Sequence, residues 1–321
     1  MELICTPDFR IEFDGKNITE SLRPRLTSLS LVDEAGSHAD KLTLQLDDRD
    51  GDSEIPKTGH QLSVYLGYRE SGLEYMGLFS VGDIEFTGPP MSLNVSATSL
   101  DYASKFKEKR TAHYENLSLT DLAQQIAERH EAFQIVALPN TDVTYEHIGQ
   151  ENESDLHLLR RLVKMVGAEV SFKNGTIMIF EKGKEPRKDK RIELKPQDVS
   201  NYSITSSNRK DYSKVIAKWH DSDEAGEKII EVGNGDGPLF VIKKTFQDEA
   251  HATAAASGKL HELNRGKVTG RLTLPGRSDI FAGSIIGLSG FRDGLDGGYT
   301  AKQVLHSMGR AGWKIDVQLE G

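Results

Sequence analysis

Apolar and polar residues alternate through the first hundred residues, and this pattern constrains the fold more than any other feature of the sequence. A period of two is typical of half-buried antiparallel strands, because successive side chains of a strand point to opposite faces. The alternating apolar positions are, in chain order, Leu29, Leu31, Leu42, Leu44, Leu46, Leu62, Val64, Leu66, Leu78, Val81, Leu93, Val95 and Ala97. Segments rich in Gly and Asp at 51–59 and 69–72 are predicted turns. Residues 1–107 are therefore predicted to form a closed barrel or sandwich of about six strands.

The periodicity becomes helical after this segment. Ser118 is placed to cap a helix that ends near His130, and a second helix is predicted to begin close to Asn152 or Ser154. Gly167 follows the second helix, where a C-terminal glycine is expected. These two helices belong to a small α+β unit.

A hairpin and a second β-rich segment follow the helices. Residues 168–172 and 176–180 flank a Lys-Asn-Gly turn and are predicted to pair with each other. Residues 182–196 are basic and bounded by proline, which favours a solvated linker over a binding patch. Seven strands and one alanine-rich helix at 248–264 are predicted in the remainder. The predicted domains are 1–107, 108–196 with its basic linker, and 197–321.

Two segments of the sequence resemble each other. Residues 59–72 and 283–294 both open with a glycine, continue as a short apolar strand, and end in a cluster of glycine, aromatic, arginine and acidic residues. Strands follow the two clusters at nearly the same intervals. Unrelated hairpins also share glycines and aromatic residues, but the matched intervals favour a duplication. A trimer of such a chain would present six similar barrels in a ring.

The net charge of −9 is concentrated in the first domain. Residues 1–107 carry 10 Lys and Arg against 18 Asp and Glu, whereas residues 197–321 carry 16 of each. A nucleic-acid-binding face is usually basic, so specific nucleic-acid binding is not expected.

No apolar run approaches the ~18 residues of a membrane span, so membrane insertion is not expected. The N-terminus lacks a secretory pattern, which favours a cytoplasmic chain, and the single cysteine, Cys5, excludes an intrachain disulfide.

Motifs that carry chemistry are absent from the sequence: it contains no HExxH, CxxC, GxSxG, P-loop or strand-linked GxGxxG. Asp48, Asp50 and Asp52 have the spacing of a calcium loop, but the glycine and the bidentate glutamate of that loop are missing, which favours a solvated acidic turn. Asp155 and His157 are interpreted as a helix-surface pair. The glycine-rich segment 233–238 is followed by a strand, not a helix, and is interpreted as a loop.

Four strings of the sequence are distinctive: 146–183, KVIAKWHD at 214–221, the alanine-rich helix that follows Phe246, and the segment from Gly283 to His306. These strings resemble the phage late control gene D family, the tail hub proteins of contractile-tailed phages, prophages and R-type tailocins. They occur in the order of the family and cover nearly the whole chain. The strings around 155–180 and 290–306 are the more specific ones.

The resemblance implies a fold, an assembly and partners. The implied fold is mainly β with a smaller α+β domain: two tandem tube-protein-like β-barrels, at 1–107 and 197–321, are separated by the α+β domain. The implied assembly is a homotrimer with pseudo-sixfold symmetry that joins the hexameric tail tube protein to the central spike protein. A tape-measure protein and other baseplate proteins are further expected partners. The implied location is a virion or tailocin baseplate assembled in the bacterial cytoplasm, and neither enzymatic activity nor a cofactor or metal is expected.

Two acidic segments of the first barrel are candidates for facing a neighbouring ring or the lumen of the tube. Their residues are Asp33, Glu34, Asp47, Asp48, Asp50, Asp52 and Glu54. An acidic lumen would keep DNA from adhering during passage, because like charges repel. Solvated hairpin tips are the alternative explanation for the same residues.

Two other functions remain open at this point. The string LSLTDLAQQIAERH, at 117–130, resembles the first helix of a LysM-type unit, which implies a cell-wall glycan-binding protein or an accessory of a peptidoglycan hydrolase. Against this reading, a long hairpin follows the second helix and no pair of catalytic carboxylates is recognisable. The base of a type VI secretion spike is the other alternative, although such chains usually continue into a long β-helical spike.

Overall fold

The structure is a computed structural model of the chain. It describes residues 5–35, 39–99, 106, 108–130, 134–137, 142–173, 176–181, 191–206, 212–221, 226–264, 268–292 and 294–321. The predicted Asn-Gly turn and most of the basic linker lie outside the described residues. Contacts group the chain into two compact units. Unit 1 comprises Met1–Asp101, Arg191–Ile204 and Gly270–Leu319, and unit 2 comprises Tyr102–Lys190, Thr205–Thr269 and Glu320–Gly321.

Unit 1 is built on one sheet of thirteen strands. Its N-terminal part contains β1 (Pro7–Phe13), β2 (Lys16–Asn17), α1 (Thr19–Leu22), β3 (Leu26–Glu34), β4 (Lys41–Asp47), β5 (Gln61–Tyr68), β6 (Gly72–Thr87) and β7 (Ser92–Ser99). Its C-terminal part contains β13 (Ile192–Leu194), β14 (Asn201–Ser206), β18 (Val268–Pro275), β19 (Ile285–Leu288), β20 (Gly297–Gly309) and β21 (Gly312–Glu320). The strand order is β14-β18-β21-β20-β3-β4-β7-β6-β5-β1-β2, with β19 beside β20 and β13 beside β19.

The alternation in the sequence predicts the buried face of this sheet. All the predicted apolar positions of β3, β4, β5 and β7 are buried. In β6 the prediction named Leu78 and Val81, but the buried residues are Phe79 and Val81, and Leu78 is half-buried. The choice of Leu78 was wrong because residues two apart, not three apart, share a face of a strand. Each buried side chain contributes about 1.5–3 kcal/mol, which fixes the register.

Unit 2 combines helices with three small sheets. Its elements are β8 (Lys109–Ser118), α2 (Leu119–Arg129), β9 (Gln134–Ala137), β10 (Thr144–Ser154), α3 (Asp155–Met165), β11 (Ala168–Lys173), β12 (Thr176–Glu181), β15 (Lys214–Asp221), β16 (Gly226–Gly233), β17 (Leu239–Phe246) and α4 (Glu249–Asn264). The sheets are β10-β8, β11-β12-β9 and β16-β15-β17. Ala252 and Ala256 of α4 pack with Val215 and Ala217 of β15, and all four are fully buried. The small alanine side chains let this helix approach the sheet closely.

The predicted helix signals are confirmed. Ser118 Oγ accepts a hydrogen bond from the Asp121 backbone N–H at 3.1 Å, which caps α2. Ser154 caps α3 in the same way. Gly167 has the left-handed conformation expected after a helix, with φ of +69°. It also lies against α4, where a Cβ on Gly167 would come within 2.5 Å of Gly258 Cα.

The chain is mainly β with a smaller α+β part, as predicted. The large sheet is barrel-like in its strand order but open, since its path of paired strands ends at β14 and β2. The contact units differ from the predicted domains, because β15, β16 and β17 form a separate sheet that packs on α4 and falls into unit 2. Domain boundaries after residues 107 and 196 remain a prediction. Within the described ranges, no helix is long and apolar enough to span a bilayer.

Candidate functional site

Unit 1 contains two β modules of the same topology. Module A consists of β3 to β7, and its sheet order is β3-β4-β7-β6-β5. Module B consists of β14 and β18 to β21, and its order is β14-β18-β21-β20-β19. In both modules the first, second, fifth, fourth and third strands along the chain lie side by side. Residues 207–267 are inserted between the first and second strands of module B, which hides the duplication in the sequence.

Equivalent backbone hydrogen bonds occur in the two modules. In module A, Gly59 N–H donates to Val81 O at 2.8 Å, and Val81 N–H donates to His60 O at 2.9 Å. In module B, Gly283 N–H donates to Ala301 O, and Ala301 N–H donates to a residue adjoining Gly283. Gly59 and Gly283 have φ of +92° and +93°, a conformation that favours glycine. The two segments that resemble each other in sequence therefore also share their backbone conformation and hydrogen bonds.

The two modules join through strands β3 and β20. These strands are antiparallel, and Leu31 lies opposite His306. The inward-facing residues of the joined half of β20 are buried, with His306 fully inaccessible and Met308 6% exposed. Among the described residues, the equivalent half of β6 pairs with β7 on one side only, and its Phe86 is 55% exposed.

Within the part that the structure describes, two of the free strand edges of unit 1 are equivalent to the edges that join the modules. One is β6 from Asp83 to Thr87 on the side away from β7, and the other is β14, the last strand of its sheet. Exposed apolar side chains accompany both edges, including Phe86, Met91 and Tyr202. A free edge presents unpaired backbone N–H and C=O groups, so it is a template for another strand.

Two of the seven candidate acidic residues lie at the join between the modules. Asp33 and Glu34 belong to strand β3, so their assignment to a turn is corrected. Asp33 is only 9% exposed, and its Oδ2 accepts a hydrogen bond from Ala282 N–H at 2.7 Å. Glu34 accepts a hydrogen bond from Gln303 across the β3–β20 pair. Their environment is that of a packed sheet and not of a solvated tip.

The other acidic segment is a turn after β4 whose charges are partly compensated. Asp47 forms a bidentate ion pair with Arg49, with distances of 2.6 and 2.9 Å. Asp50 pairs in the same way with Arg25, and this hydrogen bonding lowers the pKa of Asp50 to about 2. Asp48 is buried and accepts a hydrogen bond from the backbone of the same turn.

Asp52 and Glu54 complete the acidic turn and are exposed. In the described ranges, no group of three or more His, Cys, Asp or Glu side chains is arranged to hold a metal ion. Arg25 pairs with both carboxylate oxygens of Asp50, one of the three aspartates that have calcium-loop spacing. Which of these carboxylates faces a neighbouring ring remains a prediction.

Asp155 belongs to a buried hydrogen-bond network that the sequence analysis missed. It is 2% exposed, and its Oδ2 lies 2.8 Å from Arg129 Nη1 and 2.9 Å from His130 Nε2. Its Oδ1 accepts a hydrogen bond from Gln150 at 2.8 Å. Burial opposes ionisation, but these hydrogen bonds and the Arg129 charge keep the pKa of Asp155 below its usual value. His157 is exposed, so its assignment as the partner of Asp155 was wrong.

The network closes through Tyr114, whose hydroxyl donates to Gln150 Oε1 at 3.1 Å. The ring of Phe106 stacks on His130 with centroids 3.9 Å apart. The polar groups of this network form their hydrogen bonds with one another inside unit 2. The network therefore has a structural role, because it holds α2, α3 and β10 together. The spacing of Arg129 and Asp155 in the sequence gives no signal of this contact.

Comparison with known proteins assigns the family. A family model described as phage tail baseplate hub (GPD) matches residues 100–312. The chain belongs to this family of phage tail baseplate hub proteins. The predicted resemblance is thus confirmed, and the role of the chain is that of a tail hub.

Relatives of this hub protein match it over nearly its whole length. The probable baseplate hub protein of Escherichia phage P2 is 27% identical, and the match covers 98% of the chain and 93% of that protein. The corresponding protein of Escherichia phage 186 is also 27% identical, with coverage of 98% and 92%.

Solved structures show the same fold at low identity. The 43 kDa tail protein of prophage MuSo2 from Shewanella oneidensis has a TM-score of 0.71 and 17% identity, with 98% of each chain covered. A tail protein from Neisseria meningitidis MC58 has a TM-score of 0.71 and 13% identity, covering 98% of this chain and 97% of that one. A type VI secretion component, E. coli c3393, has a TM-score of 0.55 and 13% identity, covering 92% and 73%.

Proposed function

We propose that three copies of this hub protein close a ring of six β modules. The observation that carries the proposal is the difference between two equivalent edges. The edge of β20 is covered by β3 of the same chain, whereas the equivalent edge of β6 and the edge of β14 have no strand beside them in the described part of the chain. Because β14 is the module B equivalent of β3, β14 of a second copy fits the free edge of β6.

Such pairing is head to tail, since each copy offers two different edges. A head-to-tail interface forms a closed ring when the rotation between copies closes, and an open filament when it does not. If the rotation between copies equals the rotation between modules within a chain, each copy contributes two positions of one ring. Sixfold symmetry, which the family resemblance implies, then corresponds to three chains.

The ring would contain a continuous sheet. Eight strands lie between the two free edges of one chain, from β14 through β18, β21, β20, β3, β4 and β7 to β6. Eight strands from each of three copies make twenty-four. Closure pairs the free edges of β6 and β14 with each other, which removes the aggregation hazard that these two edges present in a single copy.

We further propose the partners of this ring. The pseudo-sixfold face contacts the tail tube protein, the opposite face holds the spike protein, and the tape-measure protein and other baseplate proteins complete the assembly in a virion or tailocin particle that forms in the host cytoplasm. The relatives described as probable baseplate hub proteins of phages P2 and 186 support this location. Exposed carboxylates of the turn after β4 are candidates for the tube face or its lumen. The proposed role is mechanical and requires no catalytic step.

A cysteine cross-linking experiment tests the pairing of β6 with β14. Phe86 lies in the free part of β6 and Ser203 lies in the middle of β14, so the proposed pairing brings these two positions of neighbouring copies close together. The double variant Phe86→Cys/Ser203→Cys is made with the native cysteine removed by Cys5→Ser, because Cys5 is exposed. A short bismaleimide linker tolerates a register difference of one residue.

The expected products on a denaturing gel are covalent dimers and trimers, and nothing larger. Each single variant, Phe86→Cys or Ser203→Cys, is the matched control and stays monomeric on the gel, because a head-to-tail interface never brings two identical residues together. Cross-linking by either single variant would indicate a different interface. A ladder beyond three chains would indicate an open filament, and both results would overturn the proposal.

A further inference from the structure

The loop between β16 and β17 exposes an asparagine that is followed by a glycine. β16 ends at Gly233 and β17 begins at Leu239, and residues 234–238 between them are exposed and have no regular secondary structure. The sequence has a second Asn-Gly pair at 174–175, which lies outside the described residues. The tail hub role gives the exposed pair at 234–235 no function.

The backbone nitrogen that follows Asn234 is open to solvent. It belongs to Gly235, which has φ of +108° and no side chain that could shield this nitrogen. Apart from the adjoining residues, a Cβ added to Gly235 would have one neighbour within 4 Å, the Ser213 side chain at 3.7 Å. The space around the Asn-Gly pair is therefore not filled by packed side chains.

The amide groups of the pair are also without hydrogen bonds to the described part of the chain. Neither the Asn234 side chain nor the Gly235 backbone N–H forms one there. The loop is held at its far end, where Ser213 Oγ donates to Gly237 O at 2.8 Å and Ser213 N–H donates to Pro238 O at 2.8 Å. Asn234 and Gly235 can thus change their backbone angles without breaking a hydrogen bond.

The other described asparagines lack this combination of features. Each of them is followed by a residue with a side chain; they are Asn17, Asn94, Asn116, Asn152, Asn201 and Asn264. Asn152 is the closest comparison, because it is exposed and has a positive φ of +47°, but it precedes Glu153. A side chain on the following residue hinders attack by the backbone nitrogen of that residue.

We propose that Asn234 is a site of spontaneous deamidation. The backbone nitrogen of Gly235 attacks Cγ of the Asn234 side chain, so that a new N–Cγ bond closes a five-membered succinimide. The Cγ–Nδ2 bond breaks, and ammonia leaves with the proton of the attacking nitrogen. Water then opens the succinimide at either carbonyl, which gives aspartate or, after attack on the main-chain carbonyl, isoaspartate.

The reaction changes both the charge and the backbone of the loop. A neutral amide becomes a carboxylate, which adds one negative charge to each chain. In the isoaspartate product the backbone path runs through Cγ and is one atom longer. The loop can accommodate this atom, because its hydrogen bonds to Ser213 lie at Gly237 and Pro238. The chain itself reverses neither step, so the modified fraction increases with the age of the hub protein.

The test incubates the full folded chain at pH 8 and 37 °C and follows tryptic peptide 229–243 by mass spectrometry. This peptide contains Asn234 and no other asparagine. Electron-transfer fragmentation distinguishes isoaspartate from aspartate, and a sample digested without incubation gives the background. We expect both products, at a rate within about tenfold of that in the chain unfolded by guanidinium chloride, because the loop reacts without global unfolding. Asn152 in the same folded sample should react at least about tenfold more slowly than Asn234.

Two variants test the role of the attacking nitrogen. Gly235→Ala shields this nitrogen with a Cβ and should slow the reaction at least about tenfold. Ser213→Ala changes only the far end of the loop and should not slow it. Circular dichroism checks that both variants are folded, and the comparison of Asn234 with Asn152 needs no variant.

Several results would overturn the proposal. Aspartate without isoaspartate would indicate direct hydrolysis of the side-chain amide instead of attack by Gly235. A difference of less than about tenfold between Asn234 and Asn152, or a folded chain that reacts more than about tenfold more slowly than the unfolded one, would show that the loop does not expose the pair. An unchanged rate in folded Gly235→Ala would contradict the mechanism. None of these outcomes depends on ring formation.

Discussion

Replacement of Asp155 by alanine would leave the Arg129 guanidinium and the His130 ring without their shared acceptor. Removal of one partner of a fully buried ion pair costs about 3–5 kcal/mol. Asp155 is 2% exposed, but the Arg129 side chain is 29% exposed and can turn partly to water, so the lower end of the range applies. We therefore expect Asp155→Ala to destabilise unit 2 by about 3 kcal/mol.

Hydrogen exchange followed by mass spectrometry measures this loss within unit 2 alone, which avoids treating a chain of two units as a two-state system. A loss of about 3 kcal/mol corresponds to roughly a 150-fold faster exchange of the slowest amides in α2 and α3, at 1.4 kcal/mol per factor of ten. His157→Ala is the matched control on the same helix. Since His157 is exposed, that variant should change exchange less than threefold.

The two variants separate the two interpretations of this helix. If Asp155 and His157 formed a surface pair, both substitutions would have small and similar effects, because an exposed ion pair contributes about 0–1 kcal/mol. Equal and small changes in exchange would refute the buried network. A large effect of His157→Ala would refute it too.

Three further predictions concern unit 1. Burial lowers the pKa of His306 from its usual 6.5 to about 4, so the folded unit holds the ring in its neutral form. The free energy of unfolding should therefore fall by about 3 kcal/mol as the pH drops from 6.5 to 4. His306→Phe should flatten this pH dependence, measured by urea titrations across that range. Gly276→Ala should lower the midpoint of thermal unfolding by several degrees, because the added Cβ overlaps the ring of Trp313. It should also reduce the near-ultraviolet circular dichroism of tryptophan. An unchanged midpoint would contradict the packing of Gly276 against Trp313. Arg25→Gln should raise the pKa of Asp50 from about 2 toward its usual value, measured by carboxyl NMR titration, and an unchanged pKa would contradict the ion pair.

The parts of the fold that depend on local patterns were predictable from the sequence. Period-two burial fixed the strands of module A, and the side chains of Ser118 and Ser154 marked the starts of α2 and α3. Leu78 was misassigned because Leu78 and Val81 are three residues apart and cannot share a face of the strand, and Phe79 takes the inward position beside Val81. A local pattern reports which face of a strand is buried, but not which strand lies beside it.

Contacts between distant segments were less accessible to sequence reasoning. The pairing of β3 with β20 joins residues about 270 positions apart, which no local pattern reveals. Asp33 and Glu34 were therefore assigned to a turn, although they lie in a packed sheet. The insertion of residues 207–267 separates β14 from β18, which made module B look like one continuous barrel with an added helix. Asp155 and its partners illustrate the same limit, since their contact is set by the packing of two helices.

The mass of the purified chain in solution, measured by light scattering at several concentrations with and without the spike protein, tests the central claim most directly. Three chains of 35.6 kDa in at least one of the two samples, independent of concentration, is the predicted result, and image averages of that particle should show six similar lobes. A monomer in both samples would contradict the account, and so would a mass that keeps rising with concentration, as an open head-to-tail filament would give.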